Sequence, residues 1–206
     1  MEKHFLRFCL MFLFLTGCGT MEITDFKNGS PPLVLEDYFA GKTRAWGIFE
    51  DRFGNLRRQF TVNIDGKWNG KTLVLDEQFV YRDGEKDRRI WTIEKIDKNH
   101  YQGRADDVIG VALGNAKGNA LNWRYDMNLK VGETRLRVHF NDWMFLQSDN
   151  ILVNRARVTK WGVELGQVTL FFSKPTTTTQ RKSAKKIPIE VNVLQRDGER
   201  LKAANQ

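Results

Sequence analysis

The sequence feature that most constrains the fold is the alternation of apolar and polar residues in the segment LNWRYDMNL, residues 121–129. Leu121, Trp123, Tyr125, Met127 and Leu129 fall on one face, and asparagine, arginine and aspartate residues fall on the other. Successive side chains of a β-strand point to opposite faces of the sheet, so a strict period of two predicts a strand with one buried face.

The same alternation recurs along the chain, and turn motifs that contain glycine separate the repeats. Alternating segments begin at Phe60, Leu73, Leu136 and Val168. The turn motifs contain Gly54, Gly66, Gly70, Gly84, Gly118, Gly132 and Gly162. This pattern predicts an all-β protein of about eight to ten short antiparallel strands, arranged as a sandwich or a barrel. We favour a single up-and-down barrel, because consecutive hairpins close it without long crossing connections.

The first 17 residues have the layout of a secretory signal peptide. Lys3 and Arg7 precede an apolar run over residues 8–15, and small residues follow it. The run is shorter than the roughly 20 apolar residues that a membrane-spanning helix needs. Leu15–Cys18, LTGC, resembles the lipobox of bacterial lipoproteins. The resemblance implies cleavage before Cys18 and lipid attachment to its sulfur. Gly19, rather than aspartate, implies sorting to the inner leaflet of the outer membrane.

Cleavage at this site restricts the chemistry left to the mature chain. Cys9 would be removed, and the sulfur of Cys18 would be alkylated, so no disulfide, redox pair or cysteine zinc site is expected. The two remaining histidines, His100 and His139, are far apart and lie in no metal-binding motif. We therefore expect neither a metal nor another cofactor.

The positive charge of the chain is concentrated at its ends. The formal net charge is +8. Residues 1–17 contribute +1 and residues 174–206 contribute +5, which leaves +2 for residues 18–173. A nearly balanced body on an exported protein argues against a nucleic-acid partner. The basic C-terminal segment is expected to be disordered and solvated, or to lie near anionic lipid or cell wall.

Composition divides the chain into four parts. Residues 1–17 form the leader, and residues 18–32, which contain Asn-Gly-Ser-Pro-Pro, form a lipidated tether. Residues 33–175 form the barrel, and residues 176–206 form the basic tail. The expected partners are a membrane through the anchor and a lipid or other hydrophobic small molecule, and the sequence leaves protein partners open.

Several short motifs resemble a family of uncharacterised Gram-negative putative lipoproteins, which is a domain of unknown function. They are Trp46-Gly47, DDVIG at 106–110, GNAL at 118–121 with Trp123 and Tyr125, Asp142-Trp143-Met144, and Asn154-Arg155-Ala156 ahead of Lys160-Trp161-Gly162. The likeness covers most of residues 33–173 and the lipobox, but not the tail. It implies a fold like that of the calycins, the lipocalin-like barrels.

The predicted inward face is apolar and aromatic, but it carries two acids. A barrel of about eight strands is wide enough to be filled by side chains or to hold one small ligand. The candidate lining residues are Phe60, Phe79, Tyr81, Trp123, Tyr125, Met127, Phe140 and Phe172. Glu77 and Asp142 fall on the same strand faces as these lining residues. These acids could hold the polar head of an amphipathic ligand, with Arg155 or Arg157 as a partner. Alternatively, Asp142 turns outward at a bulge, or the acids form a structural ion pair. Trp46 could close the barrel as a plug.

Three functions follow from the sequence. The first is a binding protein that holds or relays a lipid or hydrophobic molecule. The second is a structural lipoprotein with a solid barrel and a partner on its surface, which predicts no continuous cavity. The third is a lipid-modifying enzyme, which predicts acids that converge in a cleft. Asp106 and Asp107 could pair with Asp142 in such an enzyme, but the sequence leaves their separation open.

Overall fold

A computed structural model describes residues 21–131 and 134–175. Within them the chain forms ten strands, a short helix α1 and two 3-10 turns, Ile23–Phe26 and Ser148–Asn150. Helix α1 spans Leu35–Phe39. The strands are β1 Gly41–Asp51, β2 Leu56–Trp68, β3 Thr72–Tyr81, β4 Lys86–Lys95, β5 His100–Arg104, β6 Val108–Lys117, β7 Ala120–Val131, β8 Thr134–Leu146, β9 Leu152–Lys160 and β10 Val163–Ser173. No helix among the described residues is long and apolar enough to cross a membrane.

The ten strands form one closed antiparallel barrel. Each strand pairs with its neighbours in sequence, and β1 pairs with β10 to close the ring, from Arg44 opposite Ser173 to Asp51 opposite Gly166. The predicted all-β, up-and-down barrel is therefore confirmed. The barrel has its own hydrophobic core and no unpaired strand edge.

One predicted turn lies inside a strand. Asp65 and Gly66 belong to β2, and the β2–β3 hairpin turns four residues later at Gly70. Gly66 is required for a different reason, because a Cβ atom there would clash with the carbonyl oxygen of Phe39. The predicted turn at Gly132 falls outside the described residues, although β7 and β8 pair as far as Val131 and Thr134.

Helix α1 closes one end of the barrel, which we call the closed end. Leu35 and Phe39 are almost completely buried, and the Phe39 ring meets that of Phe172 edge-on at 5.6 Å. The buried carboxylate of Glu36 pairs with Lys95 and accepts a hydrogen bond of 2.9 Å from the Tyr101 hydroxyl. These contacts hold the helix across the end of the barrel. The sequence analysis did not predict it.

The opposite end, which we call the open rim, carries the connections β1–β2, β3–β4, β5–β6, β7–β8 and β9–β10. It has no helix across it among the described residues.

Part of the predicted tether packs on the barrel. The Phe26 ring lies 5.7 Å from that of Trp143 and 5.3 Å from that of Phe145. The Leu33 amide donates a 2.8 Å hydrogen bond to the Gly118 carbonyl, in the β6–β7 turn at the closed end. Residues 21–32 are therefore part of the folded structure. The predicted leader, Cys18 and the basic tail lie outside the described residues.

Candidate ligand cavity

The barrel encloses a cavity of about 420 Å³. This volume falls within the roughly 300–1,000 Å³ range of small-molecule sites. Ten residues that the sequence analysis placed on the inward face border it: Phe60, Glu77, Phe79, Tyr81, Trp123, Tyr125, Met127, Phe140, Asp142 and Phe172. Their role in ligand binding stays a prediction.

Aromatic rings form a continuous part of the cavity wall. Trp91 on β4 lies 6.3 Å from Trp123 and meets Tyr125 edge-on at 5.6 Å. Tyr125 in turn stacks on Phe140, with the ring centroids 5.0 Å apart. Such a wall offers a large apolar contact area with a fixed shape.

Glu77 places a carboxyl group on this wall without a hydrogen bond from any described residue. It lies on β3, directly opposite Arg89 on β4. Burial raises the pKa of Glu77 to about 7, although the nearby Arg89 opposes the shift; Asp107 and Asp142 add to it. The side chain keeps some accessible surface because it borders the cavity. A carboxyl group that borders a cavity and accepts no hydrogen bond from the protein is available to a ligand.

Arg89 is the one arginine on the inward face of β4, and its charge is already matched. Its Nε and terminal nitrogen donate to Asp107 Oδ2 at 3.0 and 2.6 Å, and the same terminal nitrogen lies 3.7 Å from Met127 Sδ. Burial alone would lower the pKa of Arg89, but Glu77 and Asp107 raise it above its ordinary value. The sequence analysis missed Arg89. Its alternation with Trp91 and Ile93 was the available signal.

Asp142 carries the second acid of the cavity, on β8. Strands β3 and β8 are five positions apart in the ten-strand ring, so Glu77 and Asp142 face the interior from opposite walls. The Asn154 side-chain amide donates to Asp142. Burial raises the pKa of Asp142 to about 7, against the opposing effect of hydrogen bonding by Asn154 and Tyr125. Burial likewise raises the pKa of Tyr125 well above its ordinary value.

Three sequence predictions about these acids are wrong. The pairing of β7 with β8 runs without a shift from Ala120 to Val131, so no bulge turns Asp142 outward. Arg155 lies on the outer face, where its Nε donates to Gln167 at 2.8 Å. Arg157 is also exposed, 3.9 Å from Glu164. Successive residues of a strand face opposite sides of the sheet. Asn154 and Ala156 face inward in β9, so Arg155 and Arg157 face outward.

Trp46 does not close the barrel either. It is exposed on the outer face of β1, with the Arg44 guanidinium 5.3 Å from its ring. The adjacent Ala45 takes the inward position and is completely buried. The role of a plug belongs to α1.

Metal-ligating side chains do not gather in the described part of the chain. Residues 21–131 and 134–175 contain no group of three or more histidine, cysteine, aspartate or glutamate side chains placed to hold a metal ion. His139 Nδ1 lies 2.9 Å from Asp126 Oδ1.

No curated protein is significantly similar to this chain. The model of one family, described as "Protein of unknown function (DUF3833)", matches residues 12–174, which is well over half of the chain. The protein therefore belongs to the DUF3833 family.

Proposed function

We propose that this protein is a lipid-anchored periplasmic protein that binds a hydrophobic or amphipathic molecule inside its barrel. The observation that carries the proposal is the apolar, aromatic-lined cavity of about 420 Å³, with the carboxyl group of Glu77 on its wall free of hydrogen bonds from the described residues. Ligand sites are typically of this kind, with a mostly apolar lining and a few convergent polar groups.

The lining of the cavity suits a ligand that has an apolar part and a polar group. The aromatic and aliphatic side chains between α1 and the open rim fit a hydrocarbon chain or ring. Glu77 and Asp142 lie within this apolar lining and have pKa values near 7, so each can donate or accept a hydrogen bond near neutral pH. A hydroxyl, amide or amine group on the ligand would satisfy them.

The anchor is proposed from the LTGC motif at residues 15–18. Lipidation of Cys18 after removal of residues 1–17 would attach the protein to the inner leaflet of the outer membrane of a Gram-negative bacterium. Residues 18–20 add at most about 10 Å of chain to a segment that packs beside the closed end. In this arrangement the anchor attaches on the closed-end side, and the open rim faces away from it.

The binding proposal is tested on residues 18–206 carrying Cys18→Ser. Native mass spectrometry followed by solvent extraction identifies any ligand that copurifies, and titration with the neutral probe N-phenyl-1-naphthylamine measures occupancy. Val168→Trp projects an indole into the cavity and should weaken probe binding, whereas Val80→Trp makes the same change on the outer face and should leave binding unchanged. Absence of bound mass, together with unchanged thermal stability when fatty acids or phospholipids are added, would reject the proposal.

The anchor is tested separately by metabolic labelling with a palmitate analogue. Labelling of the parent chain should disappear in Cys18→Ser. Label that persists in this variant would place the lipid on another residue.

One alternative has an observation in its favour. The two acids on opposite walls of the cavity have the pKa values expected of a general acid and base, which favours an enzyme that acts on lipid. The extraction experiment separates the two functions, because a binding protein returns an added lipid unchanged and an enzyme returns a product. A solid barrel with a surface partner has less support, because it requires an interior without a cavity.

A further inference from the structure

Large apolar side chains project from one sector of the open rim. They lie in three hairpins that are neighbours in the ring, β1–β2, β9–β10 and β7–β8. The exposed residues are Phe53, Leu56, Val131, Trp161 and Val163, which we call the rim patch. Phe53 is 74% exposed and Trp161 is 92% exposed. The Arg52 amide donates to the Leu165 carbonyl at 3.0 Å and so joins two of the hairpins.

The other two connections on the open rim are polar. Residues 82–85 are Arg-Asp-Gly-Glu, and residues 105–107 are Ala-Asp-Asp. The apolar surface is therefore one-sided, and it is not a general property of the hairpin tips.

Trp161 has an unfavourable backbone conformation in the hairpin that carries it. It occupies the first position of the two-residue turn between Lys160 and Val163, with φ of 52°, and Gly162 follows with φ of 81°. Two positive φ values define the type I′ turn, for which asparagine followed by glycine is preferred. A bulky residue is unfavourable in this region of the backbone. A nearly fully exposed indole in a strained position contributes little to the core and indicates a contact with something outside the barrel.

Cations accompany the aromatic tips. The Arg52 guanidinium lies 4.8 Å from the Phe53 ring centroid, and the Lys160 ammonium lies 4.5 Å from that of Trp161. Lys130 and Arg135, at the β7–β8 hairpin, are exposed and have no carboxylate partner among the described residues. The nearest acid of the β1–β2 hairpin, Asp51, is engaged by Arg57 and by the backbone of its own turn.

We propose that the rim patch docks onto a lipid bilayer that contains anionic phospholipid. Aromatic side chains are favoured at the level of the lipid headgroups, and adjacent lysine and arginine residues are attracted to anionic phosphates. Several separate projecting tips suit a deformable lipid surface better than a flat or grooved protein surface.

Docking would place the open-rim end of the cavity against the bilayer. Arg57, Leu129, Lys130 and Val131 line the cavity at the end that carries the rim patch. A hydrophobic molecule could then pass between the bilayer and the barrel without crossing water. If Cys18 is lipidated as proposed, the protein contacts lipid on two sides, through the anchor near the closed end and through the rim patch.

The experiment measures flotation of residues 18–206, Cys18→Ser, with vesicles of phosphatidylcholine alone and of phosphatidylcholine with phosphatidylglycerol. Phe53→Ser with Trp161→Asn removes one phenylalanine and one tryptophan from the rim patch and gives the turn its preferred residue. Trp46→Thr with Phe171→Thr removes the same two residue types from the outer wall, where they are cross-strand partners and also exposed. All variants retain the basic C-terminal segment, so its contribution is constant.

We expect the parent to bind the mixed vesicles, and the rim variant to partition at least about tenfold less while folding normally by circular dichroism. The wall variant should bind like the parent. Arg52→Ser with Lys160→Ser should weaken binding to mixed vesicles by at least about tenfold, whereas Lys27→Ser with Lys98→Ser at the closed end should not. Brominated lipid should quench the tryptophan fluorescence of the parent more strongly than that of the Trp161→Phe variant. The Trp46→Phe variant should be quenched as strongly as the parent.

Two results would overturn the proposal. One is binding of the rim variant equal to that of the parent, which would assign any vesicle binding to another segment. The other is a parent that does not bind vesicles. If that parent also self-associates while the rim variant is monomeric, the rim patch forms contacts between copies of the chain.

Discussion

Ionisation of Glu77 should make the stability of the barrel depend on pH. The pKa of its carboxyl group is about 7 in the folded protein and 4.5 in the unfolded reference state. Since the folded pKa is the higher, the neutral carboxyl contributes fully to stability below about pH 4.5. That contribution is lost as the pH rises through about 7.

The size of the effect follows from the pKa difference. Each unit corresponds to about 1.4 kcal/mol, so ionisation of Glu77 lowers the free energy of unfolding by about 3 kcal/mol at alkaline pH. Glu77→Gln keeps the shape and polarity of the side chain but cannot ionise, and Glu77 has no hydrogen bond to lose. At pH 8.5 the variant should therefore be more stable than the parent by up to about 3 kcal/mol, and at pH 4 the two should agree within about 0.5 kcal/mol.

Urea unfolding at pH 4, 7 and 8.5, followed by tryptophan fluorescence, provides the measurement. Glu164→Gln makes the same change on the exposed outer surface and should shift the free energy of unfolding by less than about 0.5 kcal/mol at every pH. Asp142 contributes a parallel pH dependence, because its folded pKa is also about 7. The two effects are coupled through the charge of Asp142 on Glu77, so the double variant with Asp142→Asn should gain less than the sum of the single variants. Equal pH dependence of Glu77→Gln and the parent would refute the reasoning.

Three further predictions concern packing and charge, each measured as a free energy of unfolding in urea. Phe39→Ala empties the centre of the closed end and should cost about 3–5 kcal/mol, and a loss below about 1 kcal/mol would mean that α1 is dispensable. Arg89→Met should cost about 3 kcal/mol by leaving the Asp107 carboxylate unpaired, and adding Asp107→Asn should restore more than half of the loss; no restoration would disprove the pairing. Arg155→Ala should change stability by less than about 0.5 kcal/mol because its side chain faces solvent, and a larger loss would contradict that placement.

The inward face was the part of the site most accessible to sequence reasoning. Within one strand, alternation fixes which residues share a face, and the eight candidate lining residues and the two acids named from the sequence all border the cavity. The prediction failed where a large apolar residue lies on the outer face of its strand. In β1 the bulky Trp46 points outward and the small Ala45 points inward, against the expectation that the larger apolar residue is buried.

The alternation of apolar and polar residues could not identify which residues on different strands interact. Alternation does not say how neighbouring strands are staggered or how the sheet curves as it closes, so it gave no distance between Arg89 and Asp107 or between Glu77 and Asp142. It also left the phase of β9 open, so Arg155 could be offered as a partner of the acids, which the observed outward position of Arg155 excludes.

By itself, the sequence determined the class of fold and the strand order, because period-two alternation and short turns between successive strands allow few arrangements besides consecutive hairpins. Only the tertiary structure decided that α1 closes one end, that two acids face each other across a cavity, and that the apolar hairpin tips gather in one sector of the open rim. These features depend on which strands become neighbours when the sheet closes, and closure is a property of the whole ring of hydrogen bonds.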